Sequence, residues 1–362
     1  MSARLLITGG GLVAPIGCDR RAFVAALAAA ERGPAPATRI GAFDESVLPE
    51  GRSLRRATAH VHYGVAAARA ALDEAAAEGS PPEEDSIVFA SAIGSANFSY
   101  RLWQALLAQG PAGASPVLFS EGVPNALTGH VARTLRLLGP GHMLGGGSDA
   151  GLRALALARD LLECRRARRV LVGAAEERAE IASRGYARLG VAARTTARRG
   201  ATRGRGLIPS EGSAALLMER GGDLAPGRRA LAELRAVESL QLARVRPGQD
   251  HAELAALIVQ TLDRAGATLA DVRFVARACN GTSVDELEER ALARLRANGL
   301  SAVESDAVRA ATGDAFTATP LWQVFEAIAA LETVEARRPR DVALVLSIGQ
   351  FGGATAALFG RA

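Results

Sequence analysis

The strongest constraint on the fold is that the chain echoes itself. LDEAAAEGSPPEEDSIVFASAIGS, starting at Leu72, gives a helix end, a glycine break, an acidic turn and an apolar strand closing on small residues. LDRAGATLADVRFVARACNGTS, starting at Leu262, repeats that order. A second pair behaves the same way. A helix followed by CRRARRVLVGAAEE, from Cys164, matches a helix followed by ARRPRDVALVLSIG, from Ala336. Two rounds of one α/β unit imply a duplicated architecture. The join falls in the Gly/Pro-rich stretch 221–229, a natural break. We therefore expect two halves, 1–222 and 223–362. Any two βαβ units share such an order, so the echo alone leaves coincidence open.

Short β-type runs alternate with longer Ala/Leu-rich segments, the pattern of an α/β protein. Strands are predicted at 5–8, 87–91, 170–172, 214–218, 232–237, 274–278, 342–347 and 356–359. Helices are predicted at 21–30, 58–77, 150–163, 252–265, 284–298 and 321–336.

Composition excludes several classes. With 362 residues, 49% hydrophobic and 22% charged, the chain buries a large core and is not disordered. It contains no lysine, so all 43 basic residues are arginine. That bias reflects base composition, and a formal charge of +5 gives little reason to expect nucleic acid. Cys18, Cys164 and Cys279 are too scattered for a disulfide framework or a zinc site. The five histidines form no HExxH pair, so we expect no metal and no other cofactor. No apolar run reaches the ~18 residues of a membrane span. The N-terminus turns glycine-rich too early for a signal peptide, so the expected location is cytoplasmic.

One segment stands apart from generic α/β sequence. GHMLGGGSDAGLRALALARDLL runs from Gly141 through a glycine cluster into a long helix. A nucleophile at Ser148 would feel the helix N-terminal dipole and have backbone N–H groups nearby for an oxyanion. The spacing alone favours the plainer reading, in which Ser148 or Asp149 serves simply as the helix N-cap.

At this point the chain resembles a known family, the β-ketoacyl synthases of the thiolase superfamily. LLITGGGLVAPIG resembles their opening strand and loop. PNALTGHVARTLRLLGPGH, SDAGLRALALA and VLVGAAEE resemble the approach to the nucleophile, its elbow and the following strand. EGSAALLMER, NGTSVDELEERAL, ATGDAFTATPLWQVFEAIAAL and FGGATAAL follow in family order. The resemblance implies a duplicated thiolase-like αβαβα five-layer fold.

The family's catalytic positions are altered. Its cysteine, three residues before the elbow glycine Gly151, is replaced by Ser148. The histidine that opens HGT is replaced by Asn280, and the one that closes TGH by Asp314. The lysine five residues before that is replaced by Arg309, and the GFGG loop reads QFGG, with Gln350 before Phe351. A thiolate is a good nucleophile near neutral pH, whereas a serine hydroxyl needs a base. An ionised Asp314 would repel a malonyl carboxylate. The resemblance therefore implies a catalytically degenerate subunit, like the chain-length factor of type II polyketide, aryl-polyene or fatty-acid-like systems. Such a subunit acts with an active ketosynthase, as a heterodimer or else as a homodimer, and with an acyl carrier protein. The alternative is an acyltransferase with Ser148 as nucleophile, assisted by Asp314 or Asn280; a protein that holds an acyl or aromatic ligand is a third reading. Arg309, Gln350 and Phe351 are expected at the substrate site. Asp285, Glu288, His130, His142 and Cys279 are expected to be structural. The arginines at 165, 166, 168 and 169 and at 194, 198, 199, 203 and 205 either meet the acidic carrier or form a solvated face.

Overall fold

A computed structural model describes residues 3–30, 36–41, 43–48, 54–75, 85–193, 206–243, 245–334 and 338–362. The second arginine group lies outside them.

Ten strands form one mixed sheet. In chain order they are β1 (Leu5–Val13), β2 (Ser86–Ser91), β3 (Gly141–Gly145), β4 (Arg169–Glu176), β5 (Gly212–Arg220), β6 (Ala232–Gln241), β7 (Val272–Ala276), β8 (Val303–Ser305), β9 (Val342–Ile348) and β10 (Gly353–Gly360). The helices are α1 (Arg20–Ala30), α2 (Ala59–Glu74), α3 (Ala96–Gln109), α4 (Pro116–Gly122), α5 (Ala126–Leu135), α6 (Ala150–Glu163), α7 (Glu180–Arg188), α8 (Pro247–Ala265), α9 (Ser283–Ala297), α10 (Ala307–Thr312) and α11 (Ala318–Thr333).

The strand order is β3-β2-β4-β5-β1-β6-β10-β9-β7-β8. Read inward from either end, it is the same order with every strand number raised by five. The pairing repeats too. β3–β2–β4 and β8–β7–β9 are parallel, and the inner pairs are antiparallel. The halves join through three residue pairs, Leu5↔Leu234, Leu6↔Glu233 and Ile7↔Ala232. Both sequence echoes fall on equivalent elements: α2 into β2 against α8 into β7, and α6 into β4 against α11 into β9.

Three apolar clusters make the layers. α2 and α5 pack on the outer face of β1, β2, β4 and β5. α8 and α9 cover the outer face of β6, β7, β9 and β10. α6 and α11 fill the space between the two sheet halves. This is the five-layered αβαβα fold. Strands covered on both faces need near-continuous apolar sequence, and β1, β5, β9 and β10 are buried along their whole length. α11 is sandwiched likewise and buries eleven of its sixteen residues. Among the described residues, no helix is long and apolar enough to cross a membrane.

Candidate active site

Separated segments converge on one pocket. Ser148 lies in the turn from β3 to α6, and Asn280 in the loop from β7 to α9. Asp314 precedes α11, and Gln350 and Phe351 form the turn from β9 to β10. All five line a pocket with about 390 Å³ of empty space counting its mouth. Arg309 does not. It lines an adjoining space of about 360 Å³, beside Cys279 and the far sides of Asn280 and Asp314.

Asp314 is buried and tightly held. Its carboxylate accepts from the Arg309 guanidinium and from the Phe316 N–H at 2.9 Å. Its backbone is clamped to Ile208 and Ser210 by two hydrogen bonds of 2.8 and 2.9 Å. Arg309 sets a counter-charge against Asp314 inside the fold. Two Arg309 nitrogens, Nε and Nη2, are buried with no hydrogen-bond partner.

Asn280 is oriented by its neighbour. Its Oδ1 accepts the Thr282 N–H at 3.2 Å and the Thr282 hydroxyl at 2.6 Å. A backbone N–H can only donate, so this end is the oxygen and the amide N–H groups remain as donors. The loop itself is fixed by acids. Asp285 accepts the N–H groups of Asn280 and Gly281 at 2.7 and 3.0 Å. Glu288 accepts the Ala278 N–H at 2.6 Å and pairs with Arg277 at 3.2 Å; burial pushes its carboxyl up. Both acids brace the backbone of this loop.

Ser148 is 5% exposed. No described side chain hydrogen-bonds its hydroxyl. The capping reading also needs correction. Asp149 occupies the N-cap of α6, but its side chain makes no capping bond. Its buried carboxylate instead packs under the β9–β10 turn, where a Cβ on Gly353 would lie 2.5 Å from Oδ2. Burial pushes this carboxyl up, and Arg153, 3.7 Å away, offsets part of that.

One pocket residue had no motif to announce it. Tyr186, on α7, stacks on Phe316 with centroids 5.6 Å apart and planes 23° apart, and lines the pocket beside Gln350. Burial pushes its phenol up. The available signal was rarity: the chain has three tyrosines. Buried Glu176 also shapes the site, accepting the N–H groups of Ala92 and Ile93 at 2.6 and 3.0 Å and the Thr317 hydroxyl.

The remaining candidates are quickly placed. Cys279 is buried, and burial beside Glu288, Asp306 and Asp285 holds its thiol well above the usual range. His130 bonds Glu121 at 2.8 Å. His142, on β3, has no side-chain partner among the described residues, contrary to the structural bond expected of it. Arg169 pairs bidentately with Asp85 at 2.7 and 2.8 Å, while Arg165, Arg166 and Arg168 are exposed. Among the described residues, no three His, Cys, Asp or Glu side chains stand together as a metal site.

Residues 2–223 match the N-terminal domain of the β-ketoacyl synthases. The chain belongs to the β-ketoacyl synthase family. Among ketosynthase relatives, a Streptomyces halstedii protein named polyketide beta-ketoacyl synthase 2 is 29% identical across 91% of this chain and 85% of its own length. The fold matches the ishigamide ketosynthase/chain length factor with a TM-score of 0.86 at 21% identity, covering both chains fully. It matches a Burkholderia phymatum beta-ketoacyl synthase at 0.85 and 19%, covering 99% of this chain and 100% of the other. A type II polyketide synthase acyl-carrier protein in complex with its ketosynthase bound to the hexaketide matches at 0.82 and 17%, with full coverage of both chains.

Proposed function

We propose that this ketosynthase-family chain is a catalytically degenerate, chain-length-factor-like subunit. It pairs with an active ketosynthase and works on acyl groups delivered by an acyl carrier protein in polyketide or related biosynthesis. The observation that supports this most is the make-up of the pocket. Its lining includes Ser148, Asn280 and Asp314 but no cysteine thiol and no imidazole. Condensation needs a thiolate to accept the acyl chain and cationic or neutral donors to hold the developing enolate. Here no described side chain hydrogen-bonds the hydroxyl, and the carboxylate is tied to Arg309.

Two of the structural neighbours are a ketosynthase/chain length factor and a ketosynthase with its acyl-carrier protein, which supports the choice of partners. The open outer edge of β3 supports association through the first half, with a ketosynthase or with a second copy. We set the boundary between halves at 222/223, a choice supported by the repeated strand order and by the family match ending at 223. The reading is of a cytoplasmic subunit without metal or cofactor.

The test is co-expression with a ketosynthase that keeps its cysteine and two histidines. Size exclusion with light scattering should show a 1:1 complex. Incubation with malonyl and acyl carrier thioesters should leave the mass of this chain unchanged and release no carbon dioxide from it. Ser148→Ala should leave the complex's turnover nearly intact. The acyltransferase alternative, favoured only by the placement of the Ser148 hydroxyl in the pocket, requires an adduct on Ser148. It also requires at least a ~100-fold loss on Ser148→Ala.

A further inference from the structure

We propose that the groove between α1, α11 and the β7–β8 edge is a second ligand site, which binds a soluble amphiphilic monocarboxylate: one ionised carboxylate on an apolar body. The groove sits at the β8 end of the sheet, opposite to β3. It is therefore independent of the reading of the Ser148 pocket, and it stays open when a partner covers β3.

The groove holds about 540 Å³, against about 60 Å³ beside Ser148. Sites that take small molecules run roughly 300–1,000 Å³ and are mostly apolar with a few placed polar groups. The walls here are of that kind. Leu27 of α1, Ala330 of α11 and Phe274 of β7 line it, and Val303 of β8 forms a rim at 68% exposure. Val303 pairs with Phe274, so the two share one face of the sheet.

Two charged residues mark the ends. Arg273 is the extra residue of a β-bulge: β7 spends Val272, Arg273 and Phe274 where β9 has only Val342 and Ala343. Successive strand side chains point to opposite faces, and a bulge re-aims one of them. Here Arg273 and its neighbour Phe274 both line the groove. The Arg273 Nε donates to the buried Asp341 carboxylate at 2.7 Å. Its Nη1 and Nη2 have no hydrogen-bond partner among the described residues. Asp341 also accepts the Arg338 N–H at 2.7 Å and lies in the field of Arg361, so its charge is not spent on Arg273 alone. A guanidinium anchored at one nitrogen, with two more left to donate, is pre-organised for a carboxylate.

The other end is acidic. Glu326 of α11 lines the groove and accepts the Ser305 hydroxyl. Ser305 pairs with Ala276, three residues beyond Arg273, so the two ends lie roughly 10 Å apart at about 3.3 Å per strand residue. A carboxylate at Arg273 lays its apolar body along the walls. A second carboxylate at the far end of the same molecule meets Glu326 and is repelled. The groove therefore selects one charge on an apolar chain.

Titration calorimetry of the full chain at neutral pH, below micelle-forming concentrations, compares decanoate, decanol and sebacate. These share a carbon count and carry one, no and two carboxylates. Decanoate should bind about tenfold more tightly than decanol, the size of one charge-assisted contact after desolvation, and should bind clearly more tightly than sebacate. Arg273→Gln should bring decanoate and decanol to parity, and Glu326→Gln should remove the penalty on sebacate. Ala28→Trp puts a large ring into the groove from an exposed position on α1. It leaves the Arg273–Asp341 pair intact, should keep the parent's melting temperature, and should abolish decanoate binding. Decanoate that fails to bind the parent protein, binds no better than decanol, or still binds the folded Ala28→Trp protein overturns the proposal.

Discussion

Asp314 and Arg309 share one buried ion pair, so removing either partner alone should differ from replacing both. Asp314→Asn leaves the Arg309 guanidinium buried without its counter-charge, and urea denaturation should show a loss of about 3–5 kcal/mol. The pair Arg309→Met with Asp314→Leu removes both charges and should cost clearly less, because much of the single-variant loss is an uncompensated charge. Equal losses in the two experiments would mean that the pair is not coupled. Asp149 gives a pH signature. Burial raises its carboxyl in the fold, so the folded state holds its proton at pH values where the unfolded chain has released it. That contribution is present below the unfolded value and is lost as pH rises through the folded one. Asp149→Asn should therefore be the more stable protein at pH 7, and the advantage should shrink as pH falls toward the ordinary aspartate value. Parallel stability–pH curves for the two proteins would contradict this. Motif order located Ser148, Asn280 and Asp314 in the sequence. It could not show that Arg309 would neutralise Asp314, nor that Asp149 would sit under a distant turn, because both depend on packing between halves.

At the scale of elements, the sequence read best where burial is one-sided or complete and worst where glycine or exposure breaks the pattern. α6 was expected at 150–163 and is found there, because its Ala/Leu face follows the helical period onto the core. β1 was expected to stop at residue 8 and runs to Val13. Its glycines are there for close approach: a Cβ on Gly9 or Gly11 would lie 2.0 or 2.1 Å from carbonyl oxygens of α2. β3 and β8 were missed because they are short edge strands, and α3, whose residues are at most half-buried, was not predicted either. Close approach also decides the central layer. A Cβ on Gly151 would stand 2.1 Å from the Thr317 carbonyl oxygen, at the start of α11. A backbone atom cannot rotate away as a side chain can. Gly151→Ala should therefore cost at least about 1–3 kcal/mol, seen as a lower melting temperature and a lower urea midpoint. An unchanged midpoint would show that α6 and α11 are free to separate.

Over the whole molecule, duplication solves the problem of covering ten strands while leaving the sheet with two ends. β8 manages its end by being three residues long, a common way to blunt an edge. β3 is longer, only partly buried and without a partner on its outer side. The same half carries α3, which buries no residue and shows Trp103 at 62% and Leu107 at 84% exposure. Scattered exposed apolar residues are ordinary. A helix with large apolar side chains this exposed, in a half with an open strand edge, is less so, and a protein surface of this kind is normally covered. The pseudo-twofold repeat inside the chain makes a twofold contact outside it a natural extension, with the partner a ketosynthase or a second copy. Trp103→Arg combined with Leu107→Asp places two charges on that face without touching the core. Light scattering should then report a monomer, while far-UV circular dichroism and the urea midpoint of the monomer stay within about 0.5 kcal/mol of the parent, as expected for surface changes. If the double variant still associates as tightly as the parent, the exposed face of α3 is not what the partner covers.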